Sequence, residues 1–416
     1  MGFKAQETDF HPPSQADIEE SIAKYGRDIY NDFDLDAPIF NEKHVEIIDD
    51  LVEKCPVAHS KIGEGYYLVA QNKLVREVGQ NWRTFSAAKG YMPNRPDGLP
   101  YLYPEESDPP LHTAWRTALN PFMGPGTIAP YEDTIRADAN ALIDRFIDRG
   151  ECDFVSEFAA LLPGWAFFKN VLGVPIDDLD RLVDGVEDGT FNPDPEVRGQ
   201  KFGFVFQYLG DYLKKRSEEP PRGDMVDMIA AGVTYEDGSD SAWADRVSVL
   251  VDMTFGGIAT TTYVMASGMN WLAENPEARK LLISDPETYM PRAIEEFARV
   301  YAPVVALGRT CTRDVEIGGR ELKEGDFIMM LYAGASRDPR VVDDPKRIDI
   351  TRETVLHSAF GVGIHRCIGS NLARLELRAT FEEFLRRIPE YKVKPGGEPK
   401  YVSGFLRSMR SVTFEW

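Results

Sequence analysis

Between residues 242 and 274 runs a helical pattern of about 33 residues, roughly 50 Å at 1.5 Å per residue, enough to cross a whole globular molecule. Any fold for this chain has to arrange its other elements about that rod. Helical periodicity also dominates residues 15–25, 73–82, 111–122, 131–149, 177–186, 199–217, 276–284, 288–301 and 368–387. Strand signals are short and scattered, at 66–70, 308–312, 315–317, 327–331, 391–393 and 411–416, with Gly318-Gly319 as a hairpin turn. This predicts a mainly α fold with a minor β region, an α+β layout whose small sheet gathers distant segments. No linker, low-complexity stretch or repeat interrupts the chain, so residues 1–416 are expected to form a single compact domain.

The formal net charge is −21, a field that repels polyanions and argues against nucleic acid or an anionic membrane surface as partner. The polar, proline-interrupted stretch 1–19 holds no signal peptide or membrane anchor, and Gln6 stands where a myristoylated Gly2 needs Ser or Thr. Four cysteines without framework spacing point to a reducing compartment, and the expectation is a cytoplasmic monomer.

The middle of the rod is the wrong composition for a plain structural helix. Gly256-Gly257-Ile258-Ala259-Thr260-Thr261-Thr262 places two glycines there, each costing about 1 kcal/mol relative to alanine, beside three β-branched threonines. Glycine lets another group approach the backbone, and threonine hydroxyls compete for backbone carbonyls and bend the helix. The run is either a packing kink or a place where a ligand meets the helix.

One cysteine has a distinctive setting. Phe360-Gly361-Val362-Gly363-Ile364-His365-Arg366-Cys367-Ile368-Gly369 puts a thiol in a glycine-rich loop that feeds an amphipathic helix with Ile368, Leu372, Leu375 and Ala379 in helical spacing. Unpaired N–H groups and the positive end of the helix dipole there favour a thiolate, which can be a nucleophile or a metal ligand. A Cys-His hydrolase is disfavoured, because His365, two residues before Cys367, is poorly placed to take its proton. Cys55, Cys152 and Cys311 read as packing.

The ten-residue run resembles the haem-ligand signature of the cytochrome P450 family, whose cysteine thiolate is the proximal ligand of haem iron. The resemblance covers most of the chain, from about residue 76 to the C-terminus, and implies the P450 fold, haem b (iron protoporphyrin IX) as cofactor, Cys367 as its metal ligand and Phe360 beside it. Gly256, Gly257 and Thr260 match the family's oxygen-activation segment, but Ala259 replaces its usual carboxylate, and Asp252 is about 10 Å away along the helix. By the resemblance Gly256, Ala259 and Thr260 are the catalytic segment, with Thr260 helping to deliver protons. Glu296 and Arg299 match the family's Glu-x-x-Arg structural motif, although surface helices carry such pairs routinely. His112, Arg116, Arg309 and His365 are the implied donors to two haem propionates, Arg being suited to bidentate pairing with a carboxylate.

Within the family, residues 74–77, 83–86, 108–110 and 403–406 look like the soluble bacterial, ferredoxin-dependent type of the camphor hydroxylase. That implies single electrons from an iron–sulfur ferredoxin and its NAD(P)H-dependent reductase, docked on a basic patch of Arg76, Arg83, Arg116, Arg366 and Arg374. The implied substrate pocket uses the loop 91–103, Tyr101 and Tyr103 as hydrogen-bond donors, and the apolar Phe191, Phe255, Ile258, Val304, Val305, Phe405 and Leu406, which suit a small hydrophobic molecule. The camphor enzyme's pocket tyrosine falls on Pro100, so camphor itself is not carried over, whereas terpenoids and small aromatics remain. The expected activity is therefore a monooxygenase that hydroxylates or O-dealkylates. Because Ala259 breaks the proton relay, peroxide-driven chemistry is the alternative, and a haem-binding sensor is the non-enzymatic one.

Overall fold

The computed structural model describes residues 12–93, 95 and 98–416. The expectations for residues 1–11, including Gly2 and Gln6, and for loop positions 94, 96 and 97 lie outside them. The fold is mainly α with a minor β region, as predicted, and its contacts divide the chain into two compact units, each assembled from separated segments. That discontinuity is why no linker marks them in the sequence.

The first unit, made of Met1–Leu99, Glu295–Cys367 and Ser403–Leu406, is built on a five-stranded sheet. Its strand order is Val57–Ser60, Tyr66–Val69, Phe327–Leu331, Ala306–Cys311 and Phe85–Ser86, with Tyr66–Val69 and Phe327–Leu331 parallel and the other pairs antiparallel. Side chains alternate across it. Leu68, Met329 and Leu331 join Ile47, Ile48, Leu51 and Val52 of helix His44–Lys54 on one face. Val69, Ile328 and Met330 join Leu74, Val75 and Val78 of helix Asn72–Gln80 on the other. A strand covered on both faces loses the polar half of its pattern, which is why 327–331 reads as an unbroken apolar run. The hairpin Val315–Ile317 with Arg320–Leu322 turns at Gly318 and Gly319, both at positive φ.

The second unit, Pro100–Ile294 with Ile368–Val402 and Arg407–Trp416, is helical around the predicted rod. The rod is two helices, Trp243–Gly257 and Ala259–Glu274, interrupted at Ile258 (φ −104°, ψ −70°). By length and composition Trp243–Glu274 would pass for a membrane span, yet 72% of its most apolar window is buried inside the protein. Helix Ser370–Arg387 packs on its second half, and Phe384 near that helix's end sits edge-on to Phe154 at 5.2 Å in an aromatic cluster with Phe158 and Phe414. Phe414 lies in the central strand of a three-stranded sheet, Thr413–Glu415 between Glu151–Asp153 and Lys392–Val393.

Candidate active site

Cys367 ends the first unit on a loop pinned at every turn. Its N–H donates to Phe360 O at 2.8 Å, Gly361 N–H to Ser358 O at 2.9 Å and Arg366 N–H to Gly363 O at 3.2 Å. Gly361 and Gly363 take φ of 69° and 74°, where an L side chain is strained, and a Cβ on Gly363 would stand 1.9 Å from Gly79 O. Helix Asn72–Gln80 thus lies against the loop backbone to backbone. Its first residue holds the loop's other end, Asn72 Nδ2 donating to Ser358 Oγ at 3.3 Å and to Ala335 O at 3.1 Å. Four cysteines form no disulfide, and Cys367 is the exposed one. Burial pushes the Cys55 thiol up to about 12 and Cys311 to about 11, with Cys152 higher still, so these three are kept as thiols. His365 is buried and Phe360 half-buried beside the thiol.

The pair Glu296–Arg299 is fully buried, unlike the surface pairs its spacing imitates. Arg299 makes two 2.8 Å bonds to Glu296 and donates to Ser336 O, Pro345 O and Arg347 O, while Glu296 also accepts from Asp349 N–H and Arg352. Both oxygens and all three nitrogens have partners, the condition under which a buried ion pair is tolerated. Ser336 carries the restraint onward, its hydroxyl accepting from Ser358 N–H at 3.0 Å, at the start of the cysteine loop. Arg309, on strand Ala306–Cys311, is buried with Nη1 2.7 Å from Gly308 O.

In the second unit the broken rod carries the other constellation. Thr260 Oγ1 donates to Gly256 O at 3.0 Å and Thr262 Oγ1 to Ile258 O at 3.1 Å, the back-bonding that bends helices, while Thr262 also reaches Ala159 O at 3.0 Å. Gly256 is exposed, and a Cβ there would meet no atom within 4 Å, so the rod presents an open flank just before its break. Ala259 is buried, which means an acid at that position would have been enclosed. Asp252, one turn before Gly256, has its carboxyl pushed well above the usual range by burial and by Glu105 and Glu106, against the pull of Arg116. Periodicity missed this acidic neighbourhood because Glu105 and Glu106 belong to a loop with no pattern of its own.

Helix Leu111–Leu119 carries His112, buried, and Arg116, half-buried one turn on. Tyr101 is 39% exposed and its ring stacks on Tyr103 at 6.4 Å, and Ser248 of the rod binds the backbone of both. Phe255 packs on Phe202 with ring centroids 4.9 Å apart. In the first unit Val304 pairs with Leu406 across an isolated bridge and Val305 N–H donates to Phe405 O at 2.8 Å. The two valines part company: Val305 belongs to the core on one face of the sheet, and Val304 packs partly against the other. Arg76, Arg83 and Arg366 are exposed, Arg83 lying over the Trp82 ring at 4.5 Å; Arg374, half-buried, donates to Ser370 O. Among the described residues no cluster of three His, Cys, Asp or Glu is arranged to hold a metal ion.

Comparison with known proteins agrees in kind. The sequence profile described as cytochrome P450 matches residues 190–405. The chain is 30% identical over 385 residues to cytochrome P450-terp of a Pseudomonas species, covering 85% of this chain and 88% of that one. It is 32% identical over 328 residues to a steroid C26-monooxygenase of Mycolicibacterium smegmatis, covering 77% and 80%. A Mycobacterium marinum cytochrome P450 solved in complex with pseudoionone superposes with a TM-score of 0.82 at 26% identity, covering 90% of this chain and 95% of that one.

Proposed function

Because this chain belongs to the cytochrome P450 family, we propose that it activates O₂ with single electrons from an iron–sulfur ferredoxin and hydroxylates or O-dealkylates a small hydrophobic substrate. Membership makes it a haem b monooxygenase of bacterial type, and sets aside the reading of a non-catalytic haem sensor. The donor set suits that cofactor: a solvent-accessible thiol on a rigid loop, and buried His112, His365 and Arg309 with half-buried Arg116 for two carboxylates. Cys367 would hold the iron and those four the propionates. Haem, when bound, supplies the redox centre at which O₂ is reduced.

The observation that carries the oxygen-dependent reading is the break at Ile258, where Thr260 leans on Gly256 O beside an open flank. Thr260 is the alcohol that helps move protons to the reacting oxygen. The substrate lies against Phe255 on that rod, with Val304 and Phe405 as further lining and Tyr101 or Tyr103 as a polar handle; Val305, enclosed in the core on the other face of the sheet, takes no part. A steroid and pseudoionone, named for two of its relatives, are largely hydrocarbon, which supports an apolar substrate of terpenoid or small aromatic type. Arg76, Arg83, Arg116, Arg366 and Arg374 form the basic docking patch for the ferredoxin, and the enzyme works as a cytoplasmic monomer. The buried Ala259 favours peroxide-driven chemistry as the second reading.

Small apolar compounds should shift the haem from low to high spin, and with ferredoxin, reductase and NAD(P)H the binders should be oxidised. Cys367→His should retain haem but lose the strongly red-shifted ferrous–CO band of thiolate ligation. Retention of that band would remove Cys367 from its role. Reduction by ferredoxin should slow as ionic strength rises past about 0.1 M, where the Debye length is about 10 Å, and Arg83→Glu should mimic the loss; salt-independent rates refute the patch. Product formed from peroxide but not from ferredoxin would decide for the second reading.

A further inference from the structure

A hydroxyl inside a helix commonly spends its proton on its own backbone, and Thr254 and Thr260 of the rod do so, donating to Leu250 O at 2.8 Å and Gly256 O at 3.0 Å. Ser248 does not. It is 3% exposed, and its Oγ donates to Tyr101 O while accepting from Tyr103 N–H at 3.0 Å. One side chain of the rod therefore holds the backbone of both tyrosines. The loop that carries them is closed on itself: Glu106 N–H donates to Leu102 O at 2.7 Å, Leu102 N–H to Glu106 Oε2 at 2.8 Å and Ser107 Oγ to Pro104 O at 2.8 Å. A segment braced in this way keeps its shape, and its attachment to the rod sets its place.

That place is defined by the face on which Ser248 stands. Phe255, half-buried, follows it by seven residues in the same helix, which at 3.6 residues per turn puts both on one face, about 10 Å apart along the axis. The break at Ile258 comes three residues later. We propose that Ser248 is a positioning residue of the substrate site: by fixing the backbone of Tyr101 and Tyr103 at one end of this face, it sets where a polar group of the substrate is held relative to Phe255 and the break. The inference rests on the reading above, in which the tyrosines and Phe255 line that site. It narrows the substrate to an apolar molecule with one hydrogen-bond acceptor, such as a carbonyl, oxidised at a carbon away from that acceptor.

Ser248 acts only through the tyrosines. A phenolic O–H is the donor that a carbonyl meets, and the bond forms only when donor and acceptor arrive at the right separation and angle. Held at two backbone points, the loop presents its two rings in one arrangement, nearly parallel at an interplanar angle of 11°. Without the Ser248 hydroxyl both points are lost together, Tyr101 O and Tyr103 N–H have to find other partners, and the rings take up other positions. The rod itself is kept, since alanine is the better helix former. Selectivity is therefore lost before stability.

The test compares haem-loaded wild type, Ser248→Ala, Ser248→Thr and the double variant Tyr101→Phe with Tyr103→Phe. The probes are two terpenoids of one skeleton, carvone with a carbonyl and limonene without. Amide hydrogen exchange at Tyr103 should be about 10-fold faster in Ser248→Ala than in wild type or Ser248→Thr, because its acceptor is gone. Spin-shift titrations should show wild type binding carvone about 10-fold more tightly than limonene, and Ser248→Thr should keep most of that preference. In Ser248→Ala and in the double variant the two affinities should converge. Wild type should oxidise carvone mainly at one carbon, and Ser248→Ala at several. A serine with a merely structural role would move neither the preference nor the product pattern. Unchanged exchange at Tyr103, or a Ser248→Ala protein that keeps the wild-type preference or product pattern, overturns the inference. If the double variant loses the preference all the same, only the assignment of Ser248 fails and the tyrosines stand. A wild type that does not prefer carvone, or that gives no spin shift with either compound, overturns the inference together with the reading of the tyrosines as the polar handle.

Discussion

Two glutamates are buried to the same depth, Glu296 in the first unit and Glu376 in the second, and they are treated in opposite ways. Glu296 receives both ends of a guanidinium, a second arginine and a backbone N–H. Glu376 has no cation beside it, and its Oε1 has no hydrogen-bond partner among the described residues. A carboxyl whose lone pairs are filled by guanidinium and backbone donors holds chain segments together. One enclosed without a cation has its pKa pushed up by desolvation and holds its proton more tightly. Depth alone therefore says nothing about role; the partners decide it.

The contrast is sharpest if the first pair is broken. Arg299→Ala leaves Glu296 as an uncompensated buried anion, which should cost about 3–5 kcal/mol of stability in urea unfolding and, through Ser336 and Ser358, the ability to retain haem. A loss below about 1 kcal/mol, the worth of an exposed pair, would mean that the network is not the clamp described here. Next in size is the loop that the network restrains: Gly363→Ala introduces a Cβ at φ 74° against Gly79 O and should destabilise by at least the roughly 1–3 kcal/mol of a strained backbone position.

Glu376→Gln should be the mildest change to the fold, within about 1 kcal/mol of wild type near neutral pH, because the amide has nearly the same size and brings no charge to bury. Its pH dependence is the more telling quantity. The folded protein keeps the Glu376 proton at pH values where the unfolded chain, titrating near the ordinary 4.5, has lost it. The native state then binds more protons, so this residue lowers wild-type stability as pH rises above that value, until the raised folded value is passed. Glutamine removes the decline, and stability of the variant minus that of wild type should grow with pH across this window. A flat difference would show an ordinarily titrating carboxylate and erase the distinction from Glu296.

The sequence alone was enough for the elements with a strong pattern. Helices Gln15–Tyr25 and Pro276–Ser284 and strands Val315–Ile317 and Phe327–Leu331 stand where periodicity put them, and the glycines and threonines at 256–262 announced a bend before any coordinate did. Helix His44–Lys54 and strand Val57–Ser60 were missed. So was Glu376: the apolar stripe runs through Leu375, which is only half-buried, whereas Glu376 beside it is buried together with Leu372, Leu377, Ala379 and Thr380 among others. A polar residue at a core register position was the available signal, and attention to apolar residues alone passed over it.

What the sequence determined by itself was local: where the chain turns, which thiol stands before a helix, where a rod must bend, and through these the family. Each is a matter of backbone conformation and spacing within a few residues. What only tertiary structure decided was which charges are paired. The spacing of Glu296 and Arg299 is that of any surface pair until segments 37 to 56 residues away supply Ser336, Pro345, Arg347 and Arg352 and close over it. Glu376 is an ordinary helix residue until the packing of its helix on the second half of the rod encloses it. Desolvation and hydrogen bonding depend on neighbours in space, and those are set by packing between elements far apart in the chain.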